Sequence, residues 1–176
     1  MFFFVDAAHF VMQPFLGFLW CFVRQFIQAP SGRKRFNVLG ALHATSLQIV
    51  TVTNDTYINA CSVAELLYKL AIDFQGLPIT LVMDNARYQR CRLITTLAAG
   101  LDIELLFLPP YSPNLNLIER LWKFIKKDCL YSEYYDKFPD FKQAILNSIT
   151  NPDMDKLTSL LTLNFQSFNS VTLSPC

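Results

Sequence analysis

The 176-residue sequence has almost no net charge, since 15 basic and 14 acidic side chains leave a formal charge of +1. A chain with so little net charge has no overall electrostatic field that would attract nucleic acid or a membrane surface. Any such partner would have to be bound by local basic patches.

Paired cysteines are lacking as well. The five cysteines are widely spaced and odd in number, and none belongs to a C-x-x-C pair. The start of the chain also lacks the basic segment that opens a secretory signal. These features predict reduced thiols in the core of a cytoplasmic protein rather than a disulfide framework.

No apolar run is long enough to cross a bilayer. The first part of the chain is rich in phenylalanine, but polar side chains and a proline interrupt it. Its longest clean run, from Phe15 to Val23, is far shorter than the ~20 residues of a spanning helix. We therefore expect buried strands here and no membrane partner.

Several familiar motifs of enzyme sites are missing too. The sequence contains neither a glycine-rich phosphate loop nor the G-x-S-x-G elbow of serine hydrolases. The two histidines, His9 and His43, lie too far from residues of matching ligand spacing to indicate zinc. Cys91 has no obvious histidine partner and is expected in the core. Carboxylates remain as the candidate reactive groups.

Proline, glycine and asparagine divide the chain into predicted strands and helices. Apolar and β-branched runs predict strands at residues 2–6, 36–44, 47–53, 79–84 and 103–108. Helical periodicity predicts helices at residues 59–75, 88–99 and about 116–127, with one or two more after about 137. Residues 16–27 are rich in strand formers but irregular, and residues 29–35 predict a basic loop. This order of elements predicts a mixed sheet with helices on its faces.

Two of the predicted strands end in an aspartate, Asp6 and Asp84. In open α/β sheets, ligands gather beyond the carboxyl ends of the strands. If the two strands are neighbours, the carboxylates share one half-buried site, where each raises the pKa of the other unless a cation neutralises them. Ligand sets made only of oxygen favour hard ions such as Mg²⁺.

A third carboxylate, Glu119, lies on the predicted helix "NLIERLWKFIKK". It stands at the margin of the apolar stripe of this helix, beside Lys123 and Lys126. The helix can therefore present Glu119 to the strand ends. Three acids could hold two ions about 3.5–4 Å apart, an arrangement that supports phosphodiester chemistry.

Each acid also has a purely structural interpretation. Asp6 could cap a turn, and Asp84 could form a turn with the asparagine that follows it. Glu119 could complete a capping box with Asn116 or pair with Lys123 four residues later. Taken singly, these interpretations equal or outweigh the functional one, whereas the three acids taken together favour a metal site.

The residues around these acids resemble a known family. The blocks "FFFVDAAHF", "ITLVMDNARYQ" and "LFLPPYSPNLNLIERLWKFIKK" are similar to the three signature blocks of the DDE transposases of bacterial insertion sequences, in the group that also contains mariner-type elements. The spacing of 34 residues between Asp84 and Glu119 resembles that group. The resemblance covers residues 1 to about 145, and its third block is the most specific.

This resemblance implies an RNase H-like fold, a mixed five-stranded sheet with helices on both faces, in a catalytic domain of residues 1–150. Residues 151–176 would form a helical tail without clear signals. Asp6, Asp84 and Glu119 would bind two Mg²⁺ or Mn²⁺ ions. Family members hydrolyse DNA at the ends of the element, and the freed 3′-hydroxyl then attacks target DNA. Many relatives have an acid where this sequence has Ala7, so position 7 is not expected to be a ligand.

The resemblance also implies partners. Relatives carry helix-turn-helix domains before the catalytic domain, and this sequence begins five residues before Asp6. We therefore expect a catalytic half that acts on terminal-repeat and target DNA as a homodimer in the synaptic complex. A separately encoded helix-turn-helix half and a cytoplasmic, nucleoid-associated location in bacteria are expected with it. The alternatives are another RNase H-like nuclease and a non-catalytic, truncated transposase remnant.

Basic residues cluster near each of the three motifs. They are Arg33, Lys34 and Arg35 in the basic loop, Arg87, Arg90 and Arg92 after the second aspartate, and Arg120, Lys123, Lys126 and Lys127 around the glutamate. Such clusters predict a rim that binds DNA phosphates around the site. The alternative is a set of solvated helix faces and one flexible loop.

Overall fold

The computed structural model describes residues 1–12, 34–109, 115–131 and 133–161. In these residues the strands are β1 (Phe2–Met12), β2 (Lys34–His43), β3 (Ile49–Asn54), β4 (Ile79–Met83) and β5 (Ile103–Phe107). The helices are α1 (Ala60–Asp73), α2 (Arg92–Gly100), α3 (Ile118–Cys129), α4 (Phe138–Thr150) and α5 (Met154–Leu161). The predicted segment 16–27 lies outside the described residues.

The strands form one sheet in the order β3-β2-β1-β4-β5. The first three strands along the chain pair antiparallel, whereas β4 and β5 continue the sheet parallel to β1. Strand β1 therefore lies at the centre and joins an antiparallel half to a parallel half. The prediction of a mixed five-stranded sheet is confirmed.

Helices cover both faces of this sheet because side chains alternate between the faces along each strand. On β1, Phe3 and Val5 belong to a buried cluster that also contains residues of α1 and α2. Ala8 and Phe10 of the same strand belong to a second cluster, with residues of α3, α4 and α5. We call these the α1 face and the α3 face.

Local signals set the ends of α1. The side chain of Asn59 accepts a hydrogen bond from the Ser62 amide at 3.2 Å, and the Ser62 hydroxyl accepts one from the Asn59 amide at 3.4 Å. This reciprocal capping box satisfies amide groups that the first helical turn leaves unpaired. After the helix, Gly76 has a φ of +78°, which glycine adopts without a steric penalty. Within the described ranges, no helix is both long and apolar enough to cross a membrane.

Three predicted boundaries were wrong. Strand β1 does not end at Asp6 but continues to Met12, because β2 pairs with it over that whole length. Helix α2 begins at Arg92 rather than at residue 88, because residues 87–91 turn sharply and the Gln89 amide bonds back to the Ala86 carbonyl. The last two residues of the predicted basic loop, Lys34 and Arg35, belong to β2 instead.

Candidate active site

The sheet register brings Asp6 and Asp84 together. Strands β1 and β4 run parallel, and Val5 pairs with Met83 as the last pair of their ladder. Asp6 and Asp84 are the next residues on each strand, so they lie side by side where β4 stops. Asp6 is therefore in the middle of β1, but it lies just beyond the last residue of β1 that pairs with β4. This position is level with the carboxyl end of β4, where the site was predicted.

Both aspartates belong to the α3 face. Asp6 follows Val5 of the α1 face, and it lines a groove with Glu119 and Trp122 of α3. Asp84 contacts Asn116, just before α3, through its side chain. The groove has a volume of about 260 Å³.

Glu119 reaches this groove from the first turn of α3. Helix α3 is anchored to the sheet by buried side chains on either side of Glu119, among them Ile118, Leu121 and Trp122. Glu119 itself is half-buried at the edge of this stripe. The predicted position at the margin of the helix is confirmed.

The acids influence one another electrostatically. Burial, together with the charges of Asp84 and Glu119, raises the pKa of Asp6 to about 7, and a hydrogen bond from the Ala7 amide acts in the opposite direction. Burial and the charge of Asp84 also raise the pKa of Glu119, while Lys123 lowers it. The site thus concentrates negative charge where solvent screens it poorly, which favours a cation.

The three carboxylates do not close around a single point. Among the residues that the structure describes, no group of three histidine, cysteine or acidic side chains could hold a metal ion as placed. The metal-ligand assignment of Asp6, Asp84 and Glu119 therefore stays a prediction. Its chemical basis is the donor set, which consists of oxygen atoms and suits Mg²⁺ or Mn²⁺.

Asn116 has a different role from the one its sequence position suggested. Helix α3 begins after Leu117, and no side chain caps it, so the predicted capping box with Glu119 was wrong. The Asn116 amide instead donates to the Val5 carbonyl at 3.3 Å and to Asp84 Oδ1 at 3.4 Å. Asn116 is buried and connects the start of α3 to the middle of β1 and to the residue that follows β4.

Two further residues at the site were missed by sequence reasoning. Burial raises the pKa of Tyr88, and the charges of Asp6 and Asp84 raise it further, which places this phenol near both aspartates. His9 is exposed, lines the same groove, and has Nδ1 at 2.6 Å from Asn37 Oδ1. No sequence motif indicates that either residue lies at the site. The position of Tyr88 depends on the turn between β4 and α2, and that of His9 depends on the sheet register.

The structure brings some of the predicted DNA-contacting residues to the groove. Lys123 and Lys126 line it together with the acids, and the Lys126 ammonium also lies 5.8 Å from the centre of the Phe10 ring. Lys34 instead lies 5.7 Å from the ring centre of Phe138 on α4. Arg33 is outside the described residues. The remaining predicted residues do not line the groove; they are Arg35, Arg87, Arg90, Arg92, Arg120 and Lys127.

The sheet order, the helices on both faces and the acids at the β1–β4 edge define an RNase H-like domain. Residues 3–142 match the family model described as DDE superfamily endonuclease. The chain therefore belongs to the DDE superfamily endonucleases. No curated protein matches it.

Solved structures of transposases and an integrase assembly share this fold. A structure of the Mos1 mariner paired end complex with Mn is 15% identical, with a TM-score of 0.67, and the match covers 91% of this chain and 51% of that one. The Mos1 transposase paired-end complex with left transposon end is 13% identical, with a TM-score of 0.65 and the same coverage of both chains. A simian T-cell lymphotropic virus intasome is 16% identical, with a TM-score of 0.53, and the match covers 97% of this chain and 50% of that one. The chain thus spans about half the length of these proteins, and at such identities the similarity establishes the fold.

Proposed function

We propose that this chain is the catalytic domain of a transposase of a bacterial insertion sequence. It would cleave DNA at the ends of the element and join the freed 3′-hydroxyl to target DNA. The observation that carries this proposal is the β1–β4 register, which places Asp6 beside Asp84 on the face from which α3 presents Glu119. Membership of the DDE superfamily endonucleases supports it.

Asp6, Asp84 and Glu119 are the residues that would hold divalent ions, with two ions as the proposed number. Bound Mg²⁺ or Mn²⁺ would supply an activated water or hydroxyl nucleophile and would stabilise the leaving oxygen. The raised pKa values of Asp6 and Glu119 fit this role, because clustered carboxylates ionise together most easily beside a cation. Mos1 mariner paired end complexes are described with Mn and with Mg.

Other residues of the chain would orient the acids and the DNA. Asn116 donates to one carboxylate oxygen of Asp84 and would hold this side chain in place, so that the second oxygen could bind an ion. Lys123 and Lys126 flank the acids and would bind phosphates of the DNA backbone. The other basic residues predicted from the sequence, Arg33 included, are proposed as a wider phosphate-binding rim.

The partners follow from the same proposal. The matched Mos1 structures are described as paired-end complexes and a strand transfer complex, and this chain spans about half of each protein. We therefore propose a homodimer in the synaptic complex, a separately encoded helix-turn-helix half and a nucleoid-associated location in the bacterial cytoplasm. We also propose residues 1–150 as the catalytic domain and residues 151–176 as a tail. In the described part of that tail, Leu157 of α5 is buried against the α3 face.

Nicking of DNA tests the function directly. The substrate is a supercoiled plasmid that carries the DNA flanking the gene on both sides, incubated with the chain, any helix-turn-helix protein encoded upstream, and Mn²⁺. Asp84→Asn should reduce nicking by more than the 10–100-fold typical of losing an outer-shell partner of a metal site. Asp102→Asn is the matched control, because this exposed acid lies before β5 at the opposite end of the sheet and has a φ of +56°, which asparagine tolerates.

The outcomes separate the proposed function from its alternatives. Equal nicking by the wild type and Asp84→Asn would remove Asp84 from the reaction. Cleavage of an RNA·DNA hybrid without nicking of DNA would indicate another RNase H-like nuclease. Absence of any cleavage, together with no Mn²⁺ binding in isothermal titration calorimetry, would indicate a non-catalytic remnant.

A further inference from the structure

The indole of Trp122 contains a buried donor without a partner. Its side chain is 4% exposed, and among the described residues no acceptor forms a hydrogen bond with Nε1. Buried tryptophan N–H groups in folded proteins nearly always find an acceptor. An unpaired donor in this position therefore calls for an explanation beyond the packing of a large ring.

The groove that Trp122 lines also contains the carboxylate of Asp6. Asp6 is half-buried, and a carboxylate accepts hydrogen bonds. The position of the indole ring relative to the sheet indicates Asp6 as the acceptor.

Gly40 fixes the place of this ring. It is the cross-strand partner of Asp6 in the β1–β2 ladder. A Cβ atom at position 40 would lie 2.7 Å from Cη2 and 2.8 Å from Cζ2 of Trp122, and 3.1 Å from Cδ1 of Ile118. The two ring distances are shorter than real Cβ contacts allow. The missing side chain of Gly40 therefore lets α3 approach the sheet directly next to Asp6.

We propose that Trp122 is a positioning residue that holds one oxygen of Asp6 through its indole N–H, in the space that Gly40 provides. The second oxygen of Asp6 is then available to a divalent ion. The role in metal binding rests on the proposed function, whereas the contact between Trp122 and Asp6 does not. A residue that only filled the core would be replaced by phenylalanine without any effect on Asp6.

Nuclear magnetic resonance tests the contact without activity. The chain has two tryptophans, so ¹⁵N-tryptophan labelling gives two indole signals, and Trp122→Phe identifies the signal of Trp122. Asp6→Asn should move the Trp122 indole proton upfield, because a hydrogen bond to a charged acceptor is replaced by a weaker one. Asp102→Asn should leave this signal in place. An unchanged Trp122 signal in a folded Asp6→Asn protein would overturn the proposal.

Metal affinity tests the consequence for the site. Trp122→Phe keeps most of the ring and removes the donor, and it should weaken Mn²⁺ binding about 10-fold or more, as expected for an outer-shell partner. The control is Ile125→Val, a conservative change in the same buried stripe one turn away. Unchanged Mn²⁺ affinity in a folded Trp122→Phe protein would overturn the positioning role.

The two proposals fail in different ways. If Asp84→Asn binds Mn²⁺ and nicks DNA as the wild type does, the proposed function fails, while the indole signal still reports whether Trp122 contacts Asp6. If the Trp122 indole signal does not shift in Asp6→Asn but Asp84→Asn is inactive, the proposed function stands and Trp122 is a core residue.

Discussion

The two ends of the sheet carry grooves of similar volume, about 260 Å³ at the Asp6 end and about 290 Å³ at the other. Both grooves contain carboxylates. At the far end, Asp102 and Glu104 are exposed, and Glu104 accepts a hydrogen bond from the Thr80 hydroxyl at 2.8 Å. At the near end, burial and mutual repulsion raise the pKa of Asp6. The comparison shows that acids become a candidate site only when the fold removes them from solvent and places them side by side.

The largest expected difference between the two ends is a dependence of stability on pH. The pKa of Asp6 is about 7 in the folded protein, against an ordinary value of 3.8, so the folded state binds this proton more tightly than the unfolded chain. The resulting stabilisation is complete below about pH 4 and is lost as the pH rises through about 7. It amounts to at most about 4 kcal/mol, because one pKa unit corresponds to about 1.4 kcal/mol.

Urea unfolding between about pH 4 and pH 8 without divalent ions measures this dependence. The free energy of unfolding should fall with rising pH in the wild type and should be much flatter in Asp6→Asn. Asp102→Asn should keep the wild-type slope. If Asp6→Asn also kept it, other groups would carry the pH dependence.

Two glycines give the next largest contrast. Gly40→Ala forces a methyl group into the Trp122 ring and should lower the free energy of unfolding by about 1–3 kcal/mol, as overpacking does. Gly100→Ala, at the end of α2, meets no atom within 4 Å and should be neutral or stabilising by up to about 1 kcal/mol. Denaturant unfolding of both variants tests this, and equal stabilities would contradict the close contact between Gly40 and α3.

Asn116 and Thr80 each hold a carboxylate at their end of the sheet. Asn116→Ala removes the donor to Asp84 and should reduce DNA nicking by about 10–100-fold, the range for outer-shell partners of metal sites. Thr80→Val removes the donor to Glu104 and should leave nicking unchanged. Rates measured on the plasmid substrate decide the matter, and wild-type activity of Asn116→Ala would show that Asp84 needs no such partner.

The smallest expected effect concerns the salt dependence of DNA binding. Lys123→Ala and Lys126→Ala should each reduce the slope of log affinity against log salt by about 0.9 for duplex DNA. The reason is that DNA binding releases fewer counterions when one phosphate contact is lost. Lys69→Ala is the control, because this lysine pairs with Glu65 on α1, on the other face of the sheet. Slopes equal to the wild type would remove α3 from the DNA interface.

Elements with strong local signals were predicted well. Strands β4 and β5 are mostly apolar runs between turn residues, each with one polar residue, and α1 has both a capping box and a glycine after its end. These features lie within a few residues of the elements that they define. The prediction of these elements therefore depends little on the rest of the chain.

The errors occurred where distant contacts decide the structure. Strand β1 continues past Asp6 because β2 pairs with it, and Asn116 leaves its expected cap because Asp84 and the Val5 carbonyl lie nearby. The three acids of the candidate site could be singled out from the sequence, because their spacing resembles that of the family, while their role as metal ligands stays a prediction. The contact between Trp122 and Gly40 could not be predicted from the sequence. It depends on the register of β1 with β2 and on the distance between α3 and the sheet.

The hydrogen bond from Asn116 to the Val5 carbonyl connects residues 111 positions apart. Contacts of such long sequence separation require closure of a large loop, which makes them slow to form. A chain still emerging from the ribosome presents Asp6 and Asp84 long before Glu119 and Asn116 have been added. The candidate site therefore cannot assemble until most of the domain has been synthesised, because Glu119 and Asn116 follow Asp6 by more than a hundred residues.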